Sequence, residues 1–417
     1  MEEFVATQIR YGLKYVPMNL LRSCFIPRSS EETRALRERG FLRGVCHPNE
    51  NYTLLREAEI RWVRFDIPFP FDGEGNESAG YAAFKARCRG YAECGFSVMA
   101  VTPFPNAFVS NGIDPRTPEG ETKVRQIAAF LARDLQGYVG GFQISNEPGL
   151  PKFTLPLTLD EAARFVGIQA EAMYPLRGTL LVGYNSGGPE AKLHALLRPY
   201  HRYCDYVGID IYLGCFAGVP GVMGLFDALL RYLWAMTGKP VLLQEVGYIS
   251  GGAPKTARQK KEILRSYGLS REKDAKTEIG ALVARLPGNF QHSLRYDGKE
   301  DPARYYDLLF HSDYRQHFYR EMPRLTRIPG YPHTPEGQAR FYEDLIPRLY
   351  RLPFVAGAML YCWSDAAACG YCGQPDCPVE TRWGLTDCGG GPKPAYSAVR
   401  KQFGRVRFLD ETKGREK

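Results

Sequence analysis

Histidine is scarce in this 417-residue chain: there are seven, and no His-x-His pair occurs. That removes the ligand pattern on which an amidohydrolase-type catalytic metal centre rests. No run of about 18 apolar residues is present, so the sequence offers no membrane-spanning helix. The N-terminus, MEEFVATQIRYGLKYVPMNLL, is acidic at once and has no basic segment leading into an apolar one, so no secretory signal is read there. Zinc-finger spacings, ribonucleoprotein motifs, basic helical stripes and low-complexity tracts are also missing, as is any repeat beyond a strand-helix unit. The net charge of +8 is therefore no nucleic-acid signal: between Gly252 and Ile328, 16 Lys and Arg face 10 Asp and Glu, so one segment holds most of the excess. The 11 cysteines are odd in number and scattered, which fits mostly free thiols in a reducing, cytoplasmic setting. In such a setting the acceptor-like triplets at Asn51 and Asn76 carry no glycan.

What is present is enough apolar residue for a large core, 44% of the chain, with 13% aromatics. Eight apolar runs follow one another: Phe41 to Pro48, Ile60 to Phe69, Gly95 to Pro105, Gly140 to Pro148, Gly178 to Gly188, Cys204 to Gly214, Lys239 to Tyr248 and Phe354 to Trp363. Amphipathic stretches lie between them, and Thr117-Pro118 and Thr334-Pro335 read as helix N-caps with proline at the first helical position. Continuously apolar strands alternating with helices form a parallel sheet covered by helices. Eight such units predict a single α/β domain, a (β/α)8 TIM barrel over residues 41–405. Residues 1–40 read as an N-terminal helical lead-in that caps the barrel bottom or packs on its side. Residues 250–333, charged and rich in Tyr and Phe, read as a helical lid or small subdomain inserted after strand seven. Residues 406–417 read as a charged C-terminal tail.

A TIM barrel places its active site at the C-terminal ends of the strands, so the polar residues closing each apolar run are the informative ones. They are Arg64 and Asp66 on strand two, Asn146 and Glu147 on strand four, and Asn185 on strand five. Strand six closes on Asp210 and Tyr212, strand seven on Glu245, strand eight on Trp363 and Asp365, and His47 follows strand one. Glu147 and Glu245 thus share one end of the barrel. Two carboxyl groups flanking a scissile bond are what glycoside hydrolysis uses, one as proton donor and the other as nucleophile or base.

With these residues in place, the sequence resembles clan A of the glycoside hydrolases, the retaining β-glycosidase TIM barrels, over about residues 41–250 and 334–405. The resemblance implies that Glu147 of Asn146-Glu147-Pro148 is the general acid/base and that Asn146 holds the sugar 2-hydroxyl. It implies Glu245 of LLQEVGY as nucleophile, Arg64 and Tyr212 as its supports, and Trp363 as the platform beneath the sugar. The tail RWGLTDCGGGPKPAYSAVRKQF is similar to the ending of several clan members. Two departures stand out: Asp210-Ile211-Tyr212 replaces the His-x-Tyr of many members, and TPFPNAF after strand three has no histidine, unlike endoglucanase-like members. Asn185, His47 and Asp66 are further candidates for sugar contact.

The expected activity is retaining hydrolysis of a β-glycosidic bond in a short oligosaccharide or glycoside, with no cofactor required and the carboxyl groups roughly 5 Å apart. A transglycosylase on the same scaffold, a catalytically silent sugar-binding barrel, and a scaffold acting through the basic insertion are the alternatives. Apart from these, Cys369, Cys372, Cys377 and Cys388 are spaced so that four thiolates could hold a structural Zn²⁺ beside the loop after strand eight, with free or paired thiols as the alternative.

Overall fold

A computed structural model describes residues 10–11, 31–216, 222–298, 301–312, 314–323 and 326–415. Eight strands, β1 (Leu42–Cys46), β2 (Trp62–Asp66), β3 (Ser97–Val101), β4 (Gly141–Ile144), β5 (Leu181–Tyr184), β6 (Tyr206–Ile211), β7 (Val241–Val246) and β8 (Val355–Leu360), pair in parallel and close in sequence order. Every residue of β4, β5, β6, β7 and β8 is buried, because helices cover the outside while side chains fill the lumen. The lumen is packed by Leu42, Met99, Leu181, Tyr206, Leu242 and Met359, apart from the larger core between strands and helices. Strand glycines make room for the large members: a Cβ on Gly183 would meet Tyr206 Cζ at 2.6 Å. The helices start where the sequence predicts. Thr117 accepts from Gly120 N at 3.0 Å, Thr334 accepts from Gly337 N at 3.1 Å, and proline follows each cap.

Most of the expected lead-in, 1–40, lies outside the described residues. Its last part, the helix Glu31–Glu38, closes the barrel bottom: Leu36 joins the lumen cluster and Arg37 Nη1 donates to Val355 O at the start of β8 (2.6 Å). The residues read as a charged tail continue the last helix, Pro394–Arg415. Contacts to the barrel hold them there, with Asp410 accepting from Phe41 N and Tyr350 OH, both at 2.9 Å, and Arg407 pairing with Glu59. Residues 250–333 carry the helices Ala257–Ser266, Ile279–Arg285, Gly288–Gly298, Pro302–His311 and Tyr314–Tyr319. This insertion packs on loops at the C-terminal end of the barrel: His333 Nε2 meets Gly214 O at 2.8 Å, and Gln316 Nε2 donates to Cys215 O at 3.4 Å, both after β6. Among the described residues no helix is long and apolar enough to cross a membrane.

Candidate active site

At the C-terminal end of the barrel the network is centred on Arg64, fully enclosed within β2. Its Nη1 donates to Glu245 Oε1 at 2.7 Å, its Nε to Gln143 Oε1 at 2.7 Å and its Nη2 to Asn146 Oδ1 at 2.8 Å. One guanidinium thereby ties β2 to β4 and β7, a use of its fixed planar fork that a lysine could not match. The other oxygen of Glu245 accepts from Tyr212 OH, so both carboxylate oxygens have a donor and the charge is paired inside the barrel mouth.

The chain leaves β4 by an unusual path. Ser145 and Glu147 take φ of 58° and 40°, a left-handed conformation that side-chain-bearing residues seldom adopt, and the surroundings hold them there. Thr102 Oγ1 accepts from Ser145 N at 3.0 Å and Asn185 Oδ1 from Glu147 N at 2.9 Å. Asn146 Oδ1 receives three donors, from Arg64, Gln143 and Asn185. The result aims the Glu147 carboxyl over Gly187 after β5, where a Cβ would meet its Oε1 at 3.0 Å. Burial, and next the charge of Glu245, push the Glu147 carboxyl up to about 7.

A third carboxyl, Asp210 on β6, lies within the field of both. It is buried, accepts from Asn185 Nδ2 at 2.6 Å, and is held well above the ordinary carboxylate range by burial and then by Glu245 and Glu147. The sequence marked it as a polar residue closing strand six and as a departure from His-x-Tyr. Two more acids flank the pocket: Glu190, pushed up to about 8 by burial and Glu147, and Glu380, pushed up to about 7 by burial and Cys369. Lys152, whose charge acts on Glu147, connects this wall to the loop after β8, where its Nζ donates to Tyr371 OH. Neither Glu190 nor Glu380 closes an apolar strand, so strand ends gave no signal for them.

Of the predicted site residues, Arg64, Asn146, Asn185, Tyr212 and Glu245 form one hydrogen-bonded network, with Glu147 joined to it through its backbone N–H. His47 and Asp66 stand exposed at the mouth, where the His47 ring meets Tyr361 edge-on at 5.5 Å. Trp363 is placed differently from the expected platform: it is 0% exposed and packs on Tyr396 in the outer core, because the chain has left β8 by then. Among the aromatic rings packed on Tyr212 are Tyr361 and Trp383, at 5.6 and 5.1 Å. Of these, Tyr361 keeps partial exposure. Cys388 is likewise apart from the other three cysteines, exposed in a turn that Asp387 caps by accepting from Gly389 N and Gly391 N at 2.8 Å.

The sequence matches no protein family and no curated protein. Solved structures do match. The GH53 catalytic domain of Ignisphaera aggregans is similar with TM-score 0.53 and 16% identity, over 87% of this chain and 96% of that one. A family 39 glycoside hydrolase from the gut symbiont Bacteroides cellulosilyticus gives 0.50 and 14%, over 88% of this chain and 64% of that one. The GH2 β-galacturonidase of Eisenbergiella tayi, bound to galacturonate, gives 0.50 and 13%, over 88% and 51%. This chain therefore spans only about half the length of the last. What this chain shares with these glycoside hydrolase structures is the fold, a closed (β/α)8 barrel of eight parallel strands.

Proposed function

We propose that the protein is a retaining β-glycosidase acting on a short oligosaccharide or glycoside. One observation carries the reading: two carboxyl groups at the barrel mouth have opposite environments. Glu245 is charge-paired with Arg64 and oriented by Tyr212, whereas Glu147 is pushed up to about 7 and so holds a proton near neutrality. In the first step Glu245 attacks the anomeric carbon while Glu147 gives its proton to the leaving oxygen. In the second, water loses a proton to Glu147 and displaces Glu245 from the anomeric carbon. Asn146 supports sugar binding through its Nδ2 hydrogens, since three donors already occupy its Oδ1. Tyr361, half-buried beside Tyr212 and His47, takes the platform role expected of Trp363. The fold shared with known glycoside hydrolases supports the reaction class, and the chain's own residues supply all the groups that the two steps require.

The test is a panel of 2-deoxy-2-fluoro glycosyl fluorides, followed by peptide mapping of the inactivated protein. Covalent label on Glu245 and a first-formed product of retained anomeric configuration are expected. Label on another residue, or an inverted product, would sink the assignment.

A further inference from the structure

The insertion and the loop after β8 meet around a group of side chains that the proposed reaction does not use. His317, on the helix Tyr314–Tyr319, points Nδ1 at two thiols, 3.4 Å from Cys369 Sγ and 4.0 Å from Cys377 Sγ. The three ligand atoms lie within 4.8 Å of one another, and all three residues are buried. Cys372, three residues on from Cys369 in the same turn, is buried too. In a tetrahedral zinc centre with Zn–S near 2.3 Å and Zn–N near 2.0 Å, neighbouring ligand atoms stand about 3.6 Å apart, which these separations bracket. The backbone is already turned for the purpose. Gly373 N donates to Cys369 O at 2.9 Å, Cys369 N to Gln374 O at 3.1 Å and Cys377 N to Gln374 O at 3.4 Å, so Cys369, Cys372 and Cys377 converge from nine residues of chain.

We propose that Cys369, Cys372, Cys377 and His317 form a structural zinc site that fastens the insertion to the barrel. The ligand set is Cys3His, with no position left open for substrate, as expected of a structural rather than a catalytic centre. It replaces the all-cysteine set expected from spacing: Cys388 is exposed elsewhere, and an imidazole from the insertion supplies the fourth ligand. The Arg320 to Asp376 ion pair at 3.1 Å crosses the same junction. Tyr371, between two of the cysteines, lies 4.4 Å from the His317 ring and reaches Lys152 with its hydroxyl, so the site backs directly onto the wall beside Glu147. The inference stands on this geometry and is independent of the glycosidase reading.

Elemental analysis tests it. The full chain, expressed with zinc in the medium and purified without chelator, is expected to hold about one zinc per chain, released by p-hydroxymercuribenzoate and read with a chromogenic chelator. Cys388→Ser should keep the metal, whereas His317→Ala and Cys377→Ser should lose most of it. Reconstitution of the demetallated full chain with Co²⁺ should give thiolate-to-cobalt charge-transfer and tetrahedral ligand-field bands. A full chain that holds no stoichiometric zinc, or iron with sulfide in its place, overturns the proposal. So does loss of zinc in Cys388→Ser with retention in His317→Ala. The unmodified chain and Cys388→Ser leave all four proposed ligands in place, so the test does not depend on the ligand variants folding.

Discussion

Glu147 and Glu245 differ by what touches them, and each difference has a measurable consequence. In the proposed reaction Glu147 must carry a proton to act on the leaving oxygen, and burial with the charge of Glu245 pushes its carboxyl up to about 7. The rate on a glycoside with a poor leaving group should therefore fall as pH rises through about 7, read as the alkaline limb of kcat/KM against pH. Glu147→Gln should cost about 10²–10⁴-fold in kcat/KM on such a substrate and much less in kcat/KM on a dinitrophenyl glycoside, whose leaving group needs no proton. The neighbouring acid Glu190 bears on stability instead. Its folded value, about 8, lies above the ordinary 4.5, so its contribution is fully present below about pH 4.5 and is lost as pH rises through about 8. Glu190→Gln should accordingly raise the thermal midpoint at about pH 9 relative to the unmodified chain, with a far smaller effect at about pH 4.5. Measurement of Tm across that range checks it, and an equal shift at both ends would contradict it. Glu147, Glu245 and Asp210 could be named from their strand positions, whereas Glu190 needed the fold, because what singles it out is burial and the charge of a residue distant in sequence.

Among the strands, size matters as much as polarity. Tyr206 crosses the lumen only because Gly183 on the neighbouring strand lacks a side chain, and its hydroxyl then donates to Phe142 O at 2.9 Å. Gly183→Ala should cost about 1–3 kcal/mol, measured by urea unfolding, since the added carbon meets backbone as well as ring. The loop after β5 carries the complementary case. Gly187→Ala puts a Cβ against the Glu147 carboxyl, so the expected outcome is a fall in kcat with little change in Tm. The expected strands lie within the apolar runs but stop short of them. The run Gly140 to Pro148 yields a strand of only Gly141–Ile144, because Ser145 and Glu147 turn left-handed. The same kind of exit explains Trp363: β8 ends at Leu360, and beyond it the alternation of faces no longer says which aromatic points inward. Tyr361 does, and Trp363 joins the outer core.

For the whole molecule, the question is how the insertion bears on the barrel. It packs on loops after β6, β7 and β8 through His333, Ile328 and the His317 cluster. Deleting residues 255–330 should lower kcat/KM while a far-UV spectrum of helix and strand persists, and full activity in that variant would mean that the segment serves another end. The sequence by itself determined the eight strands, their parallel closure, the helix caps and the placement of Glu147 and Glu245 at one end of the barrel, because periodicity, chain order and capping chemistry are local properties. The tertiary structure alone decided that the last helix runs through Arg415, that Tyr361 replaces Trp363 at the site, and that His317 rather than Cys388 stands with Cys369 and Cys377. Each of these depends on packing between segments far apart in the chain, and no spacing along the sequence encodes which of two distant side chains will share a cavity.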